Sequence, residues 1–166
     1  MADSTFKSIL DAVRREIVNL NLPGISPHSV LVHKVFTDNE ETVLPSLPGV
    51  VIVPLGPETI DVRASNNQEN AIGYPVGVAL FDSDGEHSGS FHEINSQSKD
   101  LDLRLKWRER IRQRFHEKRL PGVNAVQRCV VQPDAIVDTA QWLQRGIWLS
   151  SFKIEVDTRE SRISNA

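Results

Sequence analysis

WLSSFKIEVD, residues 148–157, puts Phe152, Ile154 and Val156 on one side and Lys153, Glu155 and Asp157 on the other. A period of two marks a strand with one face in a core and one towards water. Upstream, VQRCVV (126–131) is a second apolar strand. A helix precedes it over 99–119, with Leu103, Trp107, Ile111 and Phe115 four residues apart on one stripe and Pro121–Gly122 as its stop. Between the two strands, Asp138 or Thr139 can cap a short helix running through Ala140, Trp142 and Leu143 to Gly146.

Before the 99–119 helix the chain is strand-rich and cut by Pro and Gly. Pro75–Phe81 is apolar on both faces, which suits a central strand. Thr59–Ala64 alternates, with Ile60, Val62 and Ala64 on one face, and reaches Pro75–Phe81 through the polar turn Asn66–Asn70. Gly49–Val53 is an apolar run between Pro48 and Pro54, and Val30–Phe36 is rich in β-branched and aromatic residues. At the start, Phe6, Ile9, Leu10, Val13 and Ile17 give a helix over 4–20, capped by Ser4 or Thr5 and stopped near Pro23–Gly24. Strands come in a run before the second helix, not in strict alternation with helices. The expectation is one α+β domain over 1–166, a mainly antiparallel sheet with an N-terminal helix and a long central helix packed on it. Residues 82–98 read as a long polar loop, and 158–166 as a flexible C-terminal tail.

Composition narrows the function classes. The 166 residues carry 19 Lys and Arg against 22 Asp and Glu, a net charge of −3, too near neutral for a general polyanion binder. The lone cysteine, Cys129, excludes an intramolecular disulfide and a cysteine-rich zinc site, and its apolar strand suits an inert thiol. No run approaches the roughly 20 apolar residues of a membrane span. MADSTFKSILDAVRREIV holds no apolar stretch of leader length, so a reducing cytoplasm is the expected place of synthesis.

The charge is unevenly spread. Lys99–Arg119 holds nine Lys or Arg and four acids, +5, which leaves −8 for the rest. Arg104, Arg108 and Arg112 recur every fourth residue, and with Lys118 they could form a solvated face, a protein contact or a nucleic-acid surface. In the 82–98 loop, Asp82, Asp84, Glu86, His87, His92 and Glu93 could in principle ligate a divalent ion. The spacing is neither that of an EF-hand nor that of a zincin helix, and a loop that orders against a partner is the stronger expectation. There is no GxSxG elbow, GxGxxG turn or GxxxxGK[ST] loop, and His28, His33 and His116 are scattered. Asn66, Asn67 and Gln68-Glu69-Asn70 could touch a polar ligand, but such a cluster is ordinary turn chemistry. The chain is expected not to be an enzyme and to need no metal or cofactor.

The succession of elements resembles the tail-completion, or tail-terminator, proteins of tailed bacteriophages. The resemblance runs through FKSILDAVRREIV, LPGVVIVPL, ETIDVRAS, YPVGVALFD with the polar loop after it, WRERIRQRFHEKRL, VNAVQRCVVQP and SFKIEVDTRESR. It implies a structural virion protein that forms a homomeric ring, most often a hexamer, on top of the tail tube. The ring stops tube polymerisation and joins tail to head. Implied partners are further copies of the chain, the tail tube protein and a neck or connector protein. Genomic DNA would pass through the lumen without sequence-specific binding, no membrane is involved, and the place of action is the virion neck, assembled in host cytoplasm. A stopper or head–tail connector is the alternative within the neck, and a nucleic-acid-binding module using 99–119 the alternative outside it. The expected subunit or partner surface comprises Arg104, Arg108, Arg112, Lys118, Asp84, His87, His92, Arg159 and Arg162.

Overall fold

The computed structural model describes residues 3–32, 48–83, 91–134 and 147–162. Among them are two α-helices, α1 (Thr5–Asn19) and α2 (Phe91–Phe115), a 3-10 turn at Pro27–Ser29, and six strands. The strands are β1 (Val30–Val32), β2 (Gly49–Pro54), β3 (Thr59–Asp61), β4 (Glu69–Ser83), β5 (Val126–Pro133) and β6 (Ile147–Ser161). The class is α+β: one mixed sheet in the order β1-β2-β4-β6-β5, with β3 paired to β4 beside β2. Every pairing is antiparallel except β1 with β2.

The centre of the sheet is the β4–β6 ladder, in register from Glu69 opposite Ser161 to Ser83 opposite Ile147. The ladder runs on through Gly73, Pro75 and Gly77 of β4, because the apolar residues on either side of them alternate as a two-sided sheet requires. On one face, Val76, Val78, Leu80, Phe152, Ile154 and Val156 meet Ile9, Val13 and Ile17 of α1 and Trp107, Ile111 and Phe115 of α2 in a single buried core. Leu103 is partly buried at its margin. Trp107 Nε1 donates to the carbonyl of Pro23 at 2.8 Å, so this large core side chain also satisfies its polar atom. On the other face a smaller apolar cluster joins Val51, Val53, Ala79 and Phe81, with Leu149 against it.

Several boundaries differ from the sequence reading. The start of α1 does not: Ser4, one of the two expected caps, accepts from the Lys7 amide through its hydroxyl. The polar stretch 91–98 belongs to α2 and not to a loop, since after Gly89 it holds no Gly or Pro to break a helix. Asp82 and Ser83 are strand, so of the expected 82–98 loop only 84–90 is left, and it lies outside the described residues. The helix stops at Phe115 rather than Arg119. Glu117 turns to φ 57°, its amide donates to Cys129 O, and the Cys129 amide donates to Lys118 O, both at 2.8 Å. The chain thus leaves the helix to pair with the outer edge of β5.

β3 is shorter than its alternation suggested. The Asp61 carboxylate accepts the Arg63 and Ala64 amides at 3.0 and 3.1 Å, an Asx turn that ends the strand, and Ile60 and Val62 are left 57% and 78% exposed. The first residues of the expected C-terminal tail are not a tail. Thr158–Ser161 is paired strand, and Arg162 donates through its amide to Gln68 O and through Nε to Asn70 Oδ1. Residues 33–36, the expected helix from 138 to 146, and 163–166 lie outside the described residues.

Candidate functional site

α2 carries the charge that singled it out, and its arginines divide by the face on which the helix places them. Arg104 and Arg108 are only 4% and 8% exposed. Arg104 Nε pairs with Asp82 at 3.0 Å, and its guanidinium lies 5.1 Å from the centre of the Trp148 ring. Arg108 lies 4.1 Å over the Phe152 ring and donates to the Ser150 hydroxyl, to Ser151 O at 3.0 Å and to Asp134 O at 3.1 Å. Burial presses the Arg108 pKa down, with the nearby Asp134 pulling it back up. These two side chains are internal clamps between α2 and the start of β6. Their expected place on a partner surface is corrected: arginines one helical turn apart beside the apolar stripe lie over the core edge and hand their donors to strand carbonyls.

Two more are used up between the helices. Arg114 holds Glu16 of α1 through Nε at 2.9 Å and a second, shorter Nη2 contact, and Arg110 donates to the carbonyls of Leu20 and Asn21 at the end of α1. Arg112, Lys118 and Arg119 are exposed and carry no ion pair or side-chain hydrogen bond among the described residues. Arg112 borders a groove of about 360 Å³ between α2 and the end of β5, whose apolar wall is Leu105, Pro133 and Phe152 and whose acids are Glu109 and Asp134. Both acids are engaged, Glu109 by Gln113 Nε2 and Asp134 by the Ser151 hydroxyl.

A wider trough of about 550 Å³ opens on the sheet face away from the helices, between β3 and β5. Its floor is low because Gly73 and Ala71 stand there. A Cβ on Gly73 would sit 2.6 Å from Glu155 Oε1 and 3.0 Å from Thr59 Oγ1. The charges above it are already matched: Arg128 holds Asp157 at 3.1 Å and Glu117 at 3.5 Å, and Lys153 holds Glu155 at 3.5 Å. Arg159, expected at a partner surface, lines this trough and gives one guanidinium nitrogen to Ala64 O.

The other expected residues are dispersed. Arg162 is exposed beside the β4 start, Lys118 is at the β5 edge, and His92 falls in the first turn of α2. Asp84 and His87 lie outside the described residues. Among the described residues the structure therefore does not gather the expected set into one site. Among the described residues no group of three His, Cys, Asp or Glu side chains stands where it could hold a metal. Cys129 is fully buried, and burial raises its thiol from 9.0 to about 12. His116 accepts the Val131 amide at Nδ1, 3.2 Å away, which sequence spacing does not foretell because the two are joined only by the turn at Glu117. Asn66 acts as a turn former, its Oδ1 accepting the Gln68 and Glu69 amides at 2.8 Å. No family model matches the chain, and no curated protein matches it.

Proposed function

We propose that this chain is a structural protein of a bacteriophage neck, a tail terminator that forms a closed ring on the tail tube, ends its growth and offers a face to the head. One observation carries the choice of a protein-contact role over a nucleic-acid role: four of the five arginines of α2, all but Arg112, are spent on groups of their own chain. Arg104, Arg108, Arg110 and Arg114 spend their donors on Asp82, Glu16 and backbone carbonyls of the same chain. A phosphate-tracking surface needs such groups free. What remains outside is a mixture of apolar and charged side chains, Ile60, Val62 and Leu105 among them, and mixed surfaces of that kind suit protein partners. The tail-terminator assignment itself rests on the ordering of elements, and a stopper or connector is its nearest rival.

The test is made on particles. Phage lacking the chain should carry tubes of uncontrolled length without heads, and purified chain added back should appear by electron microscopy as a cap at one tube end. Normal tube lengths without the chain, or a cap elsewhere in the virion, would overturn the reading.

A further inference from the structure

The ring reading leaves open which surfaces meet, and the inference here rests on it. At one end of the sheet, β3, β4, β6 and β5 lie side by side, with Ile60 opposite Ile72, Ile72 opposite Thr158, and Thr158 opposite Val126. The outer edges of β3 and β5 are therefore separated by four strands, roughly 14 Å at the usual spacing, and cannot touch within one chain.

These edges differ in sign. Along β5 stand three exposed cations without partners among the described residues: Lys118 beside Cys129, Arg119 next to it, and Arg112 across the groove from Pro133. The acids near them are engaged, Glu117 by Arg128, Glu109 by Gln113 and Asp134 by the Ser151 hydroxyl. Along β3 stand Glu58 and Asp61, exposed, with Arg63 as the opposing charge. Each edge also has apolar surface, Ile60 and Val62 at β3 and Leu105 and Pro133 at β5, with the buried Phe152 beneath.

We propose that the β3 edge of one copy docks against the β5–α2 edge of the next, Glu58 and Asp61 meeting Arg112 and Lys118 while Ile60 and Val62 cover the groove. The two patches are different surfaces of one chain, so the contact is head to tail and repeats until rotation closes it. A two-fold contact through either edge alone would bring like charges together and is disfavoured. The sign of each edge sets the direction of the ring, and apolar contact supplies most of the adhesion.

Charge exchange tests this on the full-length chain. The β5-side variant Arg112→Glu/Lys118→Glu and the β3-side variant Glu58→Lys/Asp61→Asn alter exposed side chains only, and Asn keeps the turn-capping oxygen of Asp61. Light scattering and native mass spectrometry read the oligomer, and thermal unfolding confirms the fold. Each variant alone should associate about tenfold or more weakly than the natural chain. An equimolar mixture of the two should recover assembly with alternating copies, because each reversed edge then meets an opposite one. If the natural chain forms rings and both variants do so equally well, or if mixing restores nothing, the edge assignment is wrong while the ring reading stands. If the natural chain stays monomeric even with tail tubes added, the ring reading fails and takes the edge pair with it.

Discussion

At the residue scale, identical side chains on α2 carry opposite consequences. Arg108 covers the Phe152 ring and binds two backbone carbonyls, so Arg108→Ala uncovers the ring and strands acceptors in a nearly dry site. It should cost about 2–4 kcal/mol in denaturant unfolding. Arg112→Ala, one turn on and exposed, should stay within about 0.5 kcal/mol of the natural chain. Reversing Arg108 is therefore a test of the fold and not of assembly. The fourfold spacing of arginines was legible in the sequence, but their direction was not: it depends on where β6 passes under the helix, a long-range contact. Cys129 gives a second expectation. The unfolded thiol ionises near 9, while burial holds the folded one neutral to about 12. Between those values the native state holds a proton that the unfolded chain has released, so stability falls as pH rises through the window. Tyr74, raised mainly by burial and also by Glu160, pulls in the same direction. Urea titrations at neutral and alkaline pH should show a shallower loss for Cys129→Ala than for the natural chain.

At the element scale, strands with a continuous apolar or alternating pattern were readable, and short or covered ones were not. β2 and β6 follow from their patterns, since burial of a side-chain row is a local matter of period. β3 ends where the Asp61 side chain competes for amides, and α2 ends where its backbone is recruited by β5. Neither competitor shows in a hydrophobic pattern. The turn after α2 is also a guard on an edge strand, because Glu117 and Lys118 occupy ladder groups of β5 that another chain could pair with. Glu117 has φ 57°, a region that costs a non-glycine residue roughly 1 kcal/mol. Glu117→Gly should thus be neutral or stabilising by up to about 1 kcal/mol, even with the exposed Arg128 pair lost. Glu117→Pro cannot adopt that angle and removes the donor to Cys129 O. It should destabilise by about 3 kcal/mol or more and raise aggregation followed by light scattering.

At the scale of the whole molecule, the α+β class was legible because strands precede the second helix in a run, whereas the surface was not. Charge totals located +5 on 99–119, yet among the described residues the folded surface shows chiefly Arg112, Lys118 and Arg119 of it as free cations. With so few exposed pairs to break, salt should weaken assembly only modestly. Oligomer mass measured from low to near-molar sodium chloride should fall without disappearing, and a complete loss would mean that charge rather than apolar contact holds the copies together. The β4–β6 ladder sets one more condition. Its two strands are separated in sequence by α2 and β5, yet they form the middle of the sheet. During synthesis β4 emerges long before its main partner, so one of its edges must wait while the ribosome makes the intervening chain. Folding to the final sheet is consequently held back until β6 has left the exit tunnel, and the nascent chain in that interval is a natural client for a holding chaperone.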